Sequence, residues 1–140
     1  MRQILLFAAL AASLALLSGC ALSKAKEDKA EDMPGKAAYH KISAEEAYEM
    51  MASQEVVVVD VRTREEYDGG HIENAVLVPN ESIDSEMPEA LPDKEATLLV
   101  YCRSGRRSKD AAQKLLELGY QSVYDFGGVI DWPYELVKEG

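Results

Sequence analysis

Short runs of hydrophobic residues alternate along the chain with segments in which apolar positions recur at helical spacing. Strands are predicted over 56–59, 75–78, 97–101 and 121–126, and a turn is predicted at Gly127-Gly128. Helices are predicted over 43–52, 108–118 and 129–138, the first with a capping box formed by Ser43 and Glu46. This alternation predicts an α/β fold whose central sheet is mostly parallel and is covered by helices on both faces.

Residues 1–19 have the pattern of a secretory signal peptide. Arg2 precedes an apolar or small run over 4–17, which is shorter than the roughly 20 residues that a membrane-spanning helix needs. The tetrapeptide Leu17-Ser18-Gly19-Cys20 resembles the lipobox of bacterial lipoproteins, in which the cysteine is lipidated and becomes the mature N-terminus. The resemblance implies a lipidated Cys20 and a membrane-anchored lipoprotein of the bacterial cell envelope. The alternative is an ordinary signal peptide that happens to contain a cysteine.

Residues 20–38 are predicted to be a flexible linker behind this anchor. The segment is rich in Lys, Ala, Glu and Asp and lacks periodic apolar residues, so it buries too little surface to order itself. A short helix is the alternative, and Pro34-Gly35 would end it. The folded domain is therefore expected over 39–140.

The composition limits the possible functions of this domain. A chain of 140 residues suits one domain, and a formal net charge of −10 argues against a general nucleic-acid binder. Any site for an anion must therefore be local. The two cysteines are too few for a disulfide scaffold, and Cys20 is expected to be lipidated, so Cys102 should be a free thiol.

Cys102 begins a basic loop at the carboxyl end of a predicted strand, where ligands bind in open α/β sheets. The loop reads Cys102-Arg103-Ser104-Gly105-Arg106-Arg107. Arginine charge and the start of the next helix should favour the thiolate near neutral pH, and Gly105 should let backbone N–H groups converge on an anion. A cysteine that is only a core residue would not be followed by these charges, and a metal site would need clustered ligands that the sequence lacks.

Several motifs occur in the order and spacing of a known family. They are Asp60-Val61-Arg62, Glu66-Tyr67, Gly70-His71-Ile72, Ala75, Pro79, the loop 102–108 and the segment 127–132. These motifs resemble the single-domain rhodaneses, which are sulfurtransferases, over roughly residues 39–140. One departure is Asn74, where the family often has glycine. The resemblance implies a rhodanese-like fold with a mostly parallel sheet of five strands.

The resemblance also implies a two-step sulfur transfer that the chemistry of the loop supports. Cys102 takes the outer sulfur of an anionic donor such as thiosulfate, and a thiophilic acceptor then removes it from the persulfide. Backbone N–H groups over 103–107 would hold the transferred sulfur, and the three loop arginines are candidates for binding the donor. Asp60 and Arg62 are expected to support the loop rather than to react, and His71 is expected to be structural. A monomer without a cofactor or metal is predicted.

Two other functions are possible for such a loop. Related phosphatases and arsenate reductases place an arginine six positions after the cysteine, but Ser108 occupies that position here, and the shorter loop suits sulfur better than phosphate. The second possibility is a carrier module that passes its Cys102 persulfide to an unknown partner protein, with turnover of free thiosulfate incidental.

Overall fold

The computed structural model describes residues 37–139, in which five strands form one sheet. The strands are β1 (Ala38–Lys41), β2 (Val57–Asp60), β3 (Val76–Leu77), β4 (Thr97–Cys102) and β5 (Ser122–Gly128). Their spatial order is β1-β5-β4-β2-β3, and every neighbouring pair is parallel. Asp60 of β2 pairs with Tyr101 of β4. The carboxyl ends of these two strands therefore lie side by side.

The α-helices of the described region are α1 (Ala44–Ser53), α2 (Arg64–Asp68) and α3 (Arg106–Glu117). α1 and α2 each begin with a capping box, in which a hydroxyl group and a glutamate three residues later satisfy backbone N–H groups. α3 begins after Gly105, whose φ of 96° is a left-handed conformation that glycine adopts without strain. The turn before α3 is therefore set by the backbone rather than by a side-chain cap.

Alternate residues of the central strands pack against different helices. One apolar cluster joins Val59, Leu98 and Val100 of the sheet to Ala111 and Leu115 of α3. The other joins Val58, Leu99 and Tyr101 to Ala47 of α1 and Tyr67 of α2. The sheet is thus buried on both faces, as β-branched and leucine-rich parallel strands require. This arrangement confirms the predicted α/β class.

Several predicted boundaries are displaced by a few residues. Cys102 is the last residue of β4, and α3 begins at Arg106, two residues before the predicted start. β3 contains two residues rather than the predicted 75–78. Gly127 and Gly128 lie in β5 rather than in a separate turn. These differences arise at element ends, where hydrophobic patterns carry little information.

β1 and α2 have no counterpart in the sequence prediction. β1 begins at Ala38, within the predicted linker, and its residues alternate between half-buried and exposed, so they form no apolar run. α2 is only five residues long. Thr63 and Glu66 have the capping-box spacing, which marks the start of this helix in the sequence, but the prediction did not use it.

The predicted helix over 129–138 is wrong. The structure contains a 3-10 helix over Val129–Asp131, after which Trp132 is extended with φ −75° and ψ 113°. Pro133 explains the difference, because the residue before a proline is sterically disfavoured from the α conformation. Val137 forms an isolated antiparallel bridge instead. Apolar residues at helical spacing here belong to an irregular segment.

The predicted signal peptide over 1–19, the lipidated Cys20 and most of the predicted linker over 20–38 lie outside the described residues. Within residues 37–139, no helix is long and apolar enough to cross a membrane. The predictions for the N-terminal segment therefore stay predictions.

Candidate active site

The Cys102 thiol lies at the base of the loop that joins β4 to α3. Its side chain is fully buried, and the N–H of Gly105 donates a hydrogen bond to its Sγ over 3.0 Å. An N–H group directed at sulfur stabilises negative charge on that atom. Gly105, one of the sequence-predicted loop residues 102–107, thus contacts the buried sulfur directly.

Gly128 of β5 provides the surface on which this loop rests. A Cβ atom at this position would overlap the carbonyl oxygen of Arg103 and would lie 2.6 Å from Cα of Ser104. The N–H of Ile130 donates to that same Arg103 carbonyl over 3.2 Å. The loop is thus held against the end of β5 at a distance that only glycine permits.

A buried hydrogen-bond cluster fixes the other side of the loop. The Ser108 hydroxyl donates to Oδ1 of Asp125 over 2.7 Å and lies 3.1 Å from the carbonyl oxygen of Gly105. Asp125 is 1% exposed and also accepts from the Tyr39 hydroxyl, over 2.9 Å. Burial, followed by this hydrogen bond, raises the pKa of Tyr39 to about 12. Asp125 is a supporting residue that sequence reasoning missed, because a lone aspartate in a strand carries no motif.

Asp60 and Arg62 form a buried ion pair beside the loop. The Arg62 guanidinium donates to both carboxylate oxygens of Asp60, with Nη2 to Oδ2 at 2.6 Å, and also to the carbonyl oxygen of Gly70. The Tyr101 hydroxyl donates to the same carboxylate over 2.6 Å, and its pKa is raised by burial and by the charge of Asp60. This network joins β2 to Tyr101, the residue before Cys102.

The three loop arginines have different environments. Arg107 forms a two-pronged ion pair with Glu66 of α2, with N–O distances of 2.7 and 2.8 Å. The hydrogen bonds from Arg107 lower the pKa of Glu66 to about 2. Arg103 and Arg106 are exposed and form no ion pair within residues 37–139. The sequence placed Glu66 in a family motif but gave it no role at the loop.

A cleft of about 350 Å³ lies beside the loop and is lined by four charged residues. Its lining includes Arg62, Glu65, Glu66, Arg103, Ile130 and Leu136. A larger cavity, of about 900 Å³, lies between α1 and the segment after β5 and contains no residue of the 102–108 loop. Of these two cavities, the smaller cleft is the one that reaches the cysteine loop, through Arg103.

His71 is buried away from the loop chemistry. Its ring stacks on Tyr67 with centroids 3.6 Å apart, and its Nδ1 donates to the Tyr67 carbonyl oxygen over 2.9 Å. These contacts give the ring a packing role. In the described part of the chain, no three His, Cys, Asp or Glu residues are grouped so that they could hold a metal ion.

The family is decided by a sequence match that contains the cysteine loop. The sequence model of the family described as "Rhodanese-like domain" matches residues 43–133 of this chain. The chain belongs to the rhodanese-like family. This membership, shared with sulfurtransferases, confirms the resemblance drawn from the motifs.

Solved structures of rhodanese-like proteins have the same fold. An Escherichia coli rhodanese determined with anions is 35% identical, with a TM-score of 0.56, over 61% of this chain and all of that one. A rhodanese-like protein of Staphylococcus aureus is 30% identical, with a TM-score of 0.62, over 72% and 99%. A human single-domain sulfurtransferase is 27% identical, with a TM-score of 0.60, over 66% and 93%.

The chain also matches part of longer curated proteins. A tRNA uridine(34) hydroxylase of Yersinia pestis (strain Pestoides F) is 31% identical over 106 residues, which is 72% of this chain. The chain spans 30% of the length of that relative. The similarity is therefore to one portion of a larger protein.

Proposed function

We propose that this rhodanese-like protein is a sulfurtransferase that moves sulfane sulfur from thiosulfate, or a similar anionic donor, to a thiophilic acceptor through a Cys102 persulfide. The observation that carries the proposal is the Gly105 N–H on the Cys102 sulfur, 3.0 Å away, within a loop that also presents two exposed arginines. This reaction needs a nucleophilic sulfur, a hydrogen-bond donor that stabilises the negative charge on that sulfur, and nearby cations.

In the first step, the Cys102 thiolate attacks the outer sulfur of thiosulfate. A new sulfur–sulfur bond forms to Sγ, the sulfur–sulfur bond of thiosulfate breaks, and sulfite leaves with its electron pair. Backbone N–H groups over 103–107 then stabilise the charged outer sulfur of the persulfide, as an oxyanion hole stabilises oxygen. Arg103 and Arg106 are exposed at the loop and can bind the negative end of the donor.

In the second step, the acceptor attacks the outer sulfur of the persulfide. Cyanide would leave as thiocyanate, and the bond to Sγ would break so that Cys102 returns as thiolate. Donor and acceptor react in turn at the same cysteine, the donor with Sγ and the acceptor with the sulfur that Sγ then carries, so no ternary complex is needed. The physiological acceptor is expected to be a thiol.

Two sequence features extend the proposal to the location of the protein. The lipobox-like Leu17-Ser18-Gly19-Cys20 supports a diacylated Cys20, and two acyl chains give stable membrane anchoring. The flexible linker would hold the domain off the bacterial envelope membrane. Replacing Cys20 with Ala should move the protein from the membrane fraction to the soluble fraction, and an unchanged distribution would contradict lipidation at this residue.

The decisive experiment compares the wild-type protein with Cys102→Ala. Thiosulfate:cyanide sulfur transfer should be lost in the variant, and only the wild type should gain the mass of one sulfur atom after incubation with thiosulfate. Absence of both the gain and the Cys102-dependent turnover would overturn the proposal. Retained sulfur loading with poor turnover would instead favour a persulfide carrier that serves a partner protein.

The hydroxylase activity named for the Yersinia relatives is not part of this proposal, because the chain spans 30% of their length. The cysteine loop lies within the matched rhodanese-like domain, over residues 43–133. Phosphatase activity is disfavoured because Ser108, in the position of the phosphatase arginine, is buried and bonded to Asp125.

A further inference from the structure

Glu66 is the carboxylate that forms an ion pair with an arginine of the cysteine loop within residues 37–139. Both of its oxygens accept hydrogen bonds from the Arg107 guanidinium, over 2.7 and 2.8 Å. The two side chains are each 27% exposed, so the contact is partly removed from water. Two parallel bonds between planar groups fix the orientation of both side chains.

The position of Glu66 is fixed independently of Arg107. Its Oε2 atom accepts from the N–H of Thr63 over 3.0 Å, and the Thr63 hydroxyl accepts from the N–H of Glu66 over 3.3 Å. The carboxylate is thus part of the cap of α2, and Arg107 extends to this fixed carboxylate. Arg107 is held toward α2.

The ion pair divides the positive charge of the loop into two parts. The charge on Arg107 is compensated, whereas Arg103 and Arg106 have no carboxylate partner in the described region. Glu66 also lines the cleft that Arg103 lines. A reactant in this cleft meets a cation and a carboxylate, so its own charge affects how well it is bound.

We propose that Glu66 determines the charge preference of the Cys102 site, by withholding Arg107 from anion binding and by placing a negative charge on the wall of the cleft. The site then favours reactants of low negative charge over those of higher negative charge. This proposal rests on the proposed function for its biological meaning. Glu66 is a positioning residue in this role, because it acts through Arg107 and through its field.

The test compares two reagents that differ in charge but react with the same thiolate. Iodoacetate is an anion and iodoacetamide is neutral, so the ratio of their rates at Cys102 cancels any change in the ionisation of the thiol. The rates are followed on the Cys102 peptide of the full chain by mass spectrometry. Parallel assays compare thiosulfate, a dianion, with a singly charged aromatic thiosulfonate.

Glu66→Gln should raise the iodoacetate to iodoacetamide ratio about 3–10-fold at low salt. Glutamine also serves in a capping box, so α2 keeps its cap. The rise should disappear at about 1 M salt, where interactions between exposed charges are screened. The preference for thiosulfate over the thiosulfonate should rise in parallel.

Two further variants separate charge from structure. Glu81→Gln removes the same charge near Arg107, without removing a hydrogen bond to it, and should change the ratio less than twofold. The double variant Glu66→Gln/Arg107→Gln restores the local charge balance and should return the ratio to the wild-type value. A merely structural role would leave the double variant as altered as the single one.

The proposal is overturned if Glu66→Gln leaves the alkylation ratio within twofold of wild type, or if the double variant keeps the raised ratio. These outcomes are independent of the proposed sulfur transfer. If the wild type fails to turn over thiosulfate, the proposed function is wrong, and the alkylation ratio still decides the role of Glu66.

Discussion

The carboxyl ends of β2 and β4 lie side by side, but their polar groups are used in opposite ways. At the end of β2, Asp60 and Arg62 are buried, and their charges are satisfied by each other and by Tyr101. At the end of β4, Arg103 and Arg106 are exposed and unpaired within residues 37–139. Removing one partner of a buried, internally satisfied pair destabilises the fold, whereas an exposed charge without a partner is available to a reactant.

The largest effect on stability is expected when the β2 end loses its cation. Arg62→Met should lower the free energy of unfolding by about 3–5 kcal/mol, because Asp60 is then left buried without its guanidinium. Urea denaturation at neutral pH measures the loss. Arg64→Met is the control: the Arg64 and Asp68 side chains are 63% and 49% exposed, and their pair should contribute about 1 kcal/mol or less. Equal losses in both variants would contradict this account of β2.

The next effect concerns the surface beneath the β4 loop. Gly128→Ala should lower stability by about 1–3 kcal/mol, because its Cβ overlaps the Arg103 carbonyl. Displacing the loop should also reduce sulfur transfer about a hundredfold. Gly69→Ala is a matched control: Gly69 has a helical φ of −69°, and its Cβ would lie 3.4 Å from the nearest atom. A fully active Gly128→Ala protein would show that the loop does not depend on this contact.

The contribution of the Glu66–Arg107 pair to the free energy of unfolding should be intermediate in size and should depend on pH. Arg107 lowers the pKa of the Glu66 carboxyl from an ordinary 4.5 to about 2. The stabilisation from the pair is therefore fully present above about pH 5 and is lost as the pH falls toward 2. At neutral pH, Glu66→Gln should be less stable than wild type by about 1–2 kcal/mol after solvent screening. Unfolding curves at several pH values should show this difference shrinking with acid, and a constant difference would exclude the ion pair as its source.

The smallest effect on stability is expected at the exposed cations. Arg106→Gln should raise the KM for thiosulfate about 3–10-fold and change the unfolding free energy by about 0.5 kcal/mol or less. Steady-state kinetics with thermal unfolding checks both parts. Lys109→Gln removes the same charge from α3 outside the loop and should change KM less than twofold. If both variants raise the KM for thiosulfate equally, donor binding depends on the overall positive charge of this surface rather than on the loop arginine.

The sequence was sufficient to predict the sheet class and the loop because both have local signals. Apolar runs identify β2 and β4, and the residues 102–107 carry the nucleophile, the turn glycine and the cations together. The direction of Arg107 could not be predicted, since its partner Glu66 lies 41 positions earlier in the chain. The roles of Asp125 and Gly128 could not be predicted either, because they arise only when β5 pairs with β4, which lies far from it in the sequence.

The end of the chain shows how a hydrophobic pattern can mislead. Val129, Trp132 and Leu136 have helical spacing, but Pro133 prevents the helix, and the segment packs as irregular structure. Trp132 lies against Phe126 with ring centroids 5.6 Å apart. The proline was the stronger signal, because backbone sterics act whatever the side-chain pattern.

Asp125 also gives the edge of the sheet a mechanical connection to the reactive sulfur. Its carboxylate accepts from Tyr39 of β1 and from Ser108 of α3, and β1 is paired with β5 alone. The edge strand is therefore linked through Asp125 and Ser108 to the turn at Gly105, so displacement of β1 removes one of the hydrogen bonds that hold this carboxylate at the loop.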